Sequence, residues 1–274
     1  MSAIDGGTVL VTGASSGIGM EIARAVAPRA NCVVLVARRL ARLDELKEEL
    51  TKSHPSLRVE TIACDLSDRD AAKKLPAEVT ARGLAVDVLV NNAGVGMMGA
   101  FDRADPDKLL AMIDLNVTSL TILTRALLPA MVEKGRGGVI NVSSGFGVAV
   151  MPSFAAYVAT KHYVTGLSEA LVSDLAGTGV VVTQVLPGPV ATEFEQQIGN
   201  YTGRRAPGIV EISAARCARA TIRGFDRGRA MVVPGVLISL ALLVNALSPR
   251  FMRRLFASIL GRVARRKEAE ATAG

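Results

Sequence analysis

The strongest constraint on this chain is a regular alternation of short apolar runs with longer helical patterns, which extends to about residue 233. The runs read TVLVTG (8–13), CVVLVA (32–37), RVETIA (58–63), VDVLVNN (86–92), GVINVSS (138–144), VVVTQVLPG (180–188) and AMVVPG (230–235). Several are hydrophobic at successive positions, which is typical of strands covered on both faces. The alternation therefore predicts an α/β fold with a doubly wound parallel sheet of about seven strands, whose ligands bind at the carboxyl ends of the strands.

Length and composition favour a single domain. The chain has 274 residues, of which 50% are hydrophobic, and neither a Pro/Ser-rich linker nor a low-complexity run divides it. Its three cysteines are widely separated and odd in number, so they suggest neither a disulfide framework nor a zinc site. The first residues lack a basic stretch followed by an apolar core, so we expect no secretory signal and a cytoplasmic location. Aromatic residues make up only 4%, which argues against a nucleic-acid partner.

The first apolar run ends in the glycine-rich segment TGASSGIG (12–19), which opens a helical pattern. Glycines allow a tight turn and a close approach to a pyrophosphate, and the helix start favours its negative charge. The segment has three residues between its first two glycines, unlike the G-x-G-x-x-G fingerprint, and a glycine-rich turn without ligand is the alternative. GASSG also matches a nucleophile elbow around Ser15, but His54 and His162 are poorly placed to serve as its base.

The end of the second apolar run bears on the choice of cofactor. It reads LVARRLARL, with Ala37 where an acidic residue would hold the ribose 2′-hydroxyl of NAD, followed by Arg38 and Arg39. A guanidinium pairs well with a 2′-phosphate, so NADP(H) is favoured and NAD(H) is the second choice. The alternative is that Arg39 or Arg42 merely faces solvent at the start of the next helix.

The segment YVATK (157–161) places a phenol and an ammonium four residues apart. On a helix both side chains emerge from one face, one turn apart. A free phenol has a pKa of about 10, so a nearby cation would favour the phenolate and make the tyrosine a better base.

Taken together, TGASSGIG, NNAG (91–94) and YVATK resemble the motifs of the short-chain dehydrogenase/reductase superfamily, a Rossmann-type fold, in order and spacing over residues 8 to about 235. The resemblance implies that Tyr157 is the general acid/base, that Lys161 binds the nicotinamide ribose and lowers the pKa of Tyr157, and that Ser144 contacts the substrate oxygen. Asn116, in the central helix, would shape a helix irregularity and complete the catalytic set.

Alternatives to two of these assignments stay open. Ser143 is a rival to Ser144, although it lies closer to the strand interior and should point to the other side. Asn116 could be a polar residue that is simply satisfied inside a helix. Tyr163 lies on the helix of Tyr157 but has no lysine four residues on, so we interpret it as a packing residue.

The resemblance also implies a set of cofactor contacts and no metal ligand. Asp65 would meet the adenine ring, although Asp65 or Ser67 could instead cap the next helix, and Asn91 would line the cofactor and stabilise its strand. Thr192, in PGPVAT (187–192), would bond the nicotinamide carboxamide. The implied contacts are Gly13, Ser15, Ser16, Gly17, Ile18, Gly19, Arg38, Arg39, Asp65, Leu66, Asn92, Ala93, Gly94, Tyr157, Lys161, Pro187, Gly188, Val190 and Thr192.

These expectations combine into a function. Residues 1–235 would form an NADP-binding catalytic domain, with a variable substrate lid at about 193–211, that interconverts a ketone or aldehyde and an alcohol. We expect a lipophilic small-molecule substrate and a homodimer or homotetramer. The alternative is a noncatalytic nucleotide-binding regulator on the same fold, which would not need an intact set of Ser144, Tyr157 and Lys161.

The C-terminal extension, residues 236–274, departs from the family pattern. VLISLALLVNAL (236–247) is too short for a membrane span of about 20 residues. The next segment, RFMRRLFASILGRVARR, is amphipathic, and residues 250–274 hold seven basic and two acidic residues, a net charge of +5. The extension either packs on its own domain or a second subunit, covering the substrate pocket, or contacts an anionic membrane surface through residues 236–267.

Overall fold

The computed structural model describes residues 2–194, 198, 208 and 210–273, with side chains as far as residue 266. Its strands are β1 (Thr8–Thr12), β2 (Cys32–Ala37), β3 (Arg58–Ala63), β4 (Val88–Asn91), β5 (Gly137–Val142), β6 (Val180–Val185), β7 (Val190–Ala191), β8 (Ile212–Ser213) and β9 (Met231–Val232). Its α-helices are α1 (Gly17–Val26), α2 (Leu40–Ser53), α3 (Arg69–Ala81), α4 (Pro106–Ile113), α5 (Ser119–Glu133), α6 (Ala155–Asp174), α7 (Ala214–Asp226), α8 (Val236–Leu247) and α9 (Arg250–Ala273). A π-helix, Asp114–Thr118, joins α4 to α5, and short 3-10 helices cover Phe101–Arg103 and Gly145–Gly147.

The predicted doubly wound parallel sheet is confirmed. Seven strands pair in parallel in the order β3-β2-β1-β4-β5-β6-β9, while β7 and β8 form a separate short pair. The sheet is covered on both faces, because successive residues of a strand enter different core clusters. Val33 and Leu35 pack with one cluster, which includes Ile22 of α1 and Leu43 of α2. Val34 and Val36 pack with another, which includes residues of α3 and α5. Continuous apolar runs therefore form strands here because both faces are buried.

The strand order reverses beside β1, which creates the crevice where ligands bind in such sheets. Thr12, the last residue of β1, ties the two sides of this crevice together. Its hydroxyl donates to the carbonyl oxygen of Val90 at 3.1 Å and accepts from the backbone N–H groups of Asn92 and Ala93, both at 3.0 Å. The glycine-rich turn after β1 and the segment after β4 are thus held side by side.

Two terminal helices, α8 and α9, follow the last strand and meet at an angle of 118°. Among the described residues, the helical stretch Pro106–Glu133 is long and apolar enough to cross a membrane, and α8 with α9 would be a second candidate only as one bent span. Of the most apolar window of Pro106–Glu133, 39% is buried within the protein, and Leu123 and Met131 of α5 belong to the core. Packing against the sheet accounts for part of the apolar character of that stretch.

Candidate active site

A cavity of about 610 Å³ lies at the carboxyl ends of the strands. One end is lined by the glycine-rich turn after β1 and by the ends of β2 and β3. The other end is lined by the start of α6, by the segment after β6 and by α8. The cavity thus joins a backbone-lined cleft to a side-chain-lined chamber, as a site for an extended cofactor and a second small molecule requires.

The glycine-rich turn is built so that only glycine fits at two positions. Gly13 has φ +65°, and a Cβ there would lie 2.8 Å from Nδ2 of Asn92. Gly17, at the first position of α1, has φ +58°, and a Cβ there would lie 3.1 Å from Thr192. Ser16 precedes α1 and makes no side-chain capping hydrogen bond to it. The start of α1 therefore keeps backbone donors available for an anion, which fits a phosphate group.

Gly19 serves a different purpose from the one expected. A Cβ at Gly19 would lie 2.3 Å from Nδ2 of Asn92 and 2.5 Å from the carbonyl oxygen of Gly13. Gly19 is buried and does not line the cavity. Its lack of a side chain lets α1 approach the turn closely, so we assign it to packing.

Two arginines after β2 border the cleft. Nη2 of Arg39 donates to the hydroxyl oxygens of Ser15 at 3.2 Å and Ser16 at 3.1 Å, and to Oε2 of Glu193 at 2.9 Å. Arg38 is exposed and lies 4.0 Å from Asp65. Arg39 therefore spans the cleft although its side chain is 44% exposed, whereas Arg42, 3.7 Å from Glu45, does not line it.

Asp65 lines the cavity but does not cap the following helix. Its Oδ1 accepts from the backbone N–H and the hydroxyl of Ser67. The cap of α3 is Asp68, which accepts from the N–H groups of Asp70 and Ala71. The capping alternative for Asp65 and Ser67 is therefore wrong.

Tyr157 and Lys161 lie on one face of α6, as their spacing predicts, and both are buried. Lys161 Nζ lies 5.8 Å from the centroid of the Tyr157 ring and donates to the carbonyl oxygen of Val142 at 3.0 Å. Burial raises the pKa of Tyr157 to about 12, although a side-chain hydrogen bond with Ser144 lowers it. Burial lowers the pKa of Lys161 to about 8. In this structure burial outweighs any lowering of the Tyr157 pKa by Lys161, contrary to expectation.

The two adjacent serines point to opposite sides of β5, as expected. Ser144 lies beside Tyr157, whose pKa it lowers, and its hydroxyl accepts from the N–H of Phe146 at 3.1 Å. The Ser143 hydroxyl instead donates to the carbonyl oxygen of Lys161 at 3.0 Å and pairs with Thr165 at 2.9 Å. Only Ser144 thus adjoins the phenol.

Asn116 lies in the π-helix, behind the cavity wall and not on it. Its amide exchanges hydrogen bonds with the backbone of Val95, at 2.9 and 2.8 Å, and donates to Thr160 at 3.1 Å. A Cβ on Gly94 would lie 3.1 Å from Oδ1 of Asn116 and 3.5 Å from Nζ of Lys161. Asn116 is thus satisfied by neighbouring elements, not within its own helix, and it lies close to Lys161.

Three phenylalanines surround the phenol. Their ring centroids lie 6.3 Å (Phe146), 6.3 Å (Phe154) and 5.7 Å (Phe194) from that of Tyr157. Ile238 and Leu242 of α8 line the same chamber, and Ile238 would collide with a Cβ on Gly188. Sequence reasoning did not name these residues, because only the tertiary fold brings them to the tyrosine. Most of the expected lid, residues 193–211, lies outside the described residues, although Ile198 lines the cavity.

The remaining candidates are easily placed. Apart from Gly19, Asn91 and Asn116, every implied cofactor and catalytic residue lines the cavity. Asn91 is buried and donates to Thr124 and Asn141, both at 2.9 Å. Tyr163 is 41% exposed, and its hydroxyl pairs with that of Thr121.

Comparison with known proteins identifies the family. Residues 7–202 match the family model described as short chain dehydrogenase. The chain belongs to the short-chain dehydrogenase/reductase family of oxidoreductases. The expected family and Rossmann-type fold are thereby confirmed.

Individual relatives of this short-chain dehydrogenase/reductase span a range of activities. The chain is 38% identical to a short chain dehydrogenase of Pseudocercospora fijiensis over 70% of this chain and 62% of that protein. It is 40% identical to the NADP-dependent 3-hydroxy acid dehydrogenase YdfG of Salmonella typhi over 68% of this chain and 74% of the relative. A solved short-chain dehydrogenase from Sphingobium yanoikuyae, in complex with NADPH, superposes with a TM-score of 0.78 at 32% identity, covering 88% of this chain and 93% of that one.

Proposed function

We propose that this protein is an NADP(H)-dependent oxidoreductase that interconverts a ketone or aldehyde and an alcohol on a lipophilic small molecule. The observation that carries the proposal is the position of the buried Tyr157 with Ser144 beside it. The pair stands where a glycine-rich, phosphate-sized cleft opens into an aromatic chamber. A proton donor at that junction adjoins both the cofactor cleft and the substrate chamber.

The described residues fit NADP(H). The glycine cradle at Gly13 and Gly17 and the uncapped start of α1 would hold the pyrophosphate. Arg38 and Arg39 would pair with the 2′-phosphate, in a position where Ala37 offers no carboxylate to a ribose hydroxyl. A relative described as NADP-dependent and a solved relative in complex with NADPH support this preference. NAD(H) is the second choice.

In the mechanism, bound NADP(H) supplies or accepts the hydride. Tyr157 would give its phenol proton to the substrate oxygen during reduction, since a pKa of about 12 keeps it protonated at neutral pH. The Ser144 hydroxyl would donate a hydrogen bond to the same oxygen as negative charge develops. Lys161, with a pKa of about 8, remains mostly protonated at pH 7 and would stabilise the phenolate left behind. Asn116, beside Lys161, would hold the Val95 segment in place.

The chamber around Tyr157 supports a lipophilic substrate. Its walls include Phe146, Phe154, Phe194 and Leu242, so a polar substrate body would lose hydration without gaining partners there. We propose residues 1–235 as the catalytic domain and 236–274 as an extension whose α8 closes the chamber. We also propose a cytoplasmic homodimer or homotetramer, which light scattering would test.

A noncatalytic nucleotide-binding regulator is the second candidate. A regulator would need the cleft but not the contact between Ser144 and Tyr157. A panel of ketones, aldehydes and alcohols, assayed by absorbance with NADPH/NADP and NADH/NAD, separates the two. We expect turnover of apolar carbonyls with NADPH. Tight NADPH binding without turnover of any panel member would favour the regulator.

A further inference from the structure

The two terminal helices each expose a stripe of large apolar side chains, and we call these side chains together the C-terminal face. It holds twelve large apolar side chains that are 44% to 78% exposed. They are Val236, Leu237, Leu240, Leu243, Val244 and Leu247 of α8, and Phe251, Met252, Leu255, Phe256, Ile259 and Val263 of α9. More than half of the exposed large hydrophobic side chains in the described part of the chain lie in this one segment. A patch of this kind marks an interaction surface.

The rest of the protein does not cover this face, because α8 and α9 turn other residues inward. Helix α8 directs Ile238 and Leu242 into the cavity wall, and Nδ2 of Asn245 donates to the carbonyl oxygen of Val148 at 3.0 Å. Helix α9 turns mainly small residues inward, with Gly261 against Pro152, although Arg253 and Leu260 are also partly covered. A helix that served only its own core would bury its large apolar residues and expose its small ones.

The charge around the C-terminal face indicates which kind of partner it would bind. Residues 236–267 contain seven basic residues and no acidic residue. Arg265 pairs with Asp102 at 2.6 Å, while Arg254 and Arg262 are exposed and form no ion pair within the described part of the chain. In a twofold dimer the same face would meet itself and bring these arginines together, which is unfavourable. An anionic lipid surface satisfies both the apolar side chains and the arginines.

We propose that the C-terminal face docks this protein on an anionic membrane surface, with α8 and α9 lying in the plane of the lipid headgroups. Neither helix crosses the bilayer: α8 has only 12 residues and is separated from α9 by the 118° bend, and α9 contains seven basic residues. The apolar side chains enter the outer part of the acyl layer, and the arginines contact lipid phosphates.

Docking places the lipid directly against the cavity wall. Ile238, Ala241 and Leu242 line the cavity, while Leu237 and Leu240 on the same helix face outward. Only one helix, about 10 Å thick, thus separates the chamber from the membrane. A lipophilic substrate could then enter from the lipid phase. This last consequence rests on the proposed function, whereas docking itself does not.

Flotation of the full chain with vesicles tests docking without any substrate. We expect binding to vesicles that contain phosphatidylglycerol and much weaker binding to phosphatidylcholine alone. Leu255→Glu on the C-terminal face should lower the partition coefficient at least about tenfold, since burial of a leucine is lost. Arg254→Gln should lower it about fivefold. Leu110→Glu on α4, where Leu110 is 56% exposed against 62% for Leu255, is the matched control and should bind normally.

A second measurement guards against misfolded variants. The chain contains no tryptophan, so Phe256→Trp introduces a single emitter on the face. Its fluorescence should shift to the blue with anionic vesicles, whereas Leu110→Trp should not shift. The proposal would be overturned if anionic vesicles shifted the emission of both tryptophan variants equally, or if the full chain failed to float with those vesicles. An oligomer that Leu255→Glu dissociates, without flotation of the unmodified chain, would assign the face to a second copy instead.

Discussion

The ammonium of Lys161 lies 5.8 Å from the centroid of the Tyr157 ring, and both groups are buried on one face of α6. Burial opposes the charged form of each group: the pKa of the phenol rises and that of the ammonium falls. The pair is therefore a neutral proton donor beside an ammonium whose charged form is destabilised by burial. This arrangement favours proton delivery during reduction. It also makes the free energy of unfolding depend on pH.

The free energy of unfolding, measured without cofactor, should depend on pH because the Lys161 ammonium is buried. Lys161 has a pKa of about 8 in the folded protein and an ordinary lysine pKa of 10.5 in the unfolded chain, so between these pH values the unfolded chain binds a proton that the folded protein does not. Its contribution to the free energy of unfolding therefore rises as pH rises from 8 to 10.5, by roughly 1.4 kcal/mol per unit at most. Denaturant titrations of the unmodified protein and Lys161→Met should differ by this slope. Parallel pH profiles would contradict the assignment.

Substitutions of Ser143 and Ser144 should separate an effect on catalysis from an effect on stability. Ser144→Ala removes the hydroxyl beside Tyr157 and should lower kcat about 100-fold, as loss of an oxyanion donor does. Ser143→Ala removes bonds to Lys161 and Thr165, so it should cost about 1 kcal/mol of stability and leave kcat within a few-fold. Kinetics and thermal melts of both variants check this. A larger kcat loss in Ser143→Ala would reverse the assignment.

Cofactor choice should depend on Arg39 and not on Arg42. Arg39→Gln removes the guanidinium that spans the cleft and should raise KM for NADPH at least about tenfold, with little change for NADH. Arg42→Gln, which affects only the surface pair with Glu45, is the control and should behave as the unmodified protein. Steady-state kinetics with both cofactors measure the change. Equal effects on NADPH and NADH would exclude a 2′-phosphate contact.

The sheet could be predicted from sequence because its strands are buried on both faces. Runs such as CVVLVA are hydrophobic at successive positions, which indicates burial on both faces, and β2 spans the same residues, Cys32–Ala37. The positions of Tyr157 and Lys161 on one face of α6 likewise follow from local spacing.

Other parts of the site depend on contacts that sequence spacing does not encode. Phe194 reaches Tyr157 across the fold, and Glu193 reaches Arg39 from 154 residues away. The pKa of Tyr157 depends on its depth of burial, which the i, i+4 spacing with Lys161 does not specify. Sequence likewise left open which face of α8 and α9 would be covered, because apolar residues occur on both faces of α8.

The most direct test of the account replaces Tyr157 by phenylalanine. Tyr157→Phe removes only the phenolic hydroxyl and should retain the surrounding aromatic contacts. Turnover of a carbonyl substrate with NADPH should fall at least about 100-fold, as expected for loss of a general acid. NADPH affinity, measured by fluorescence titration, should stay within a few-fold. Unchanged turnover with intact NADPH binding would contradict the role of Tyr157 as the proton donor.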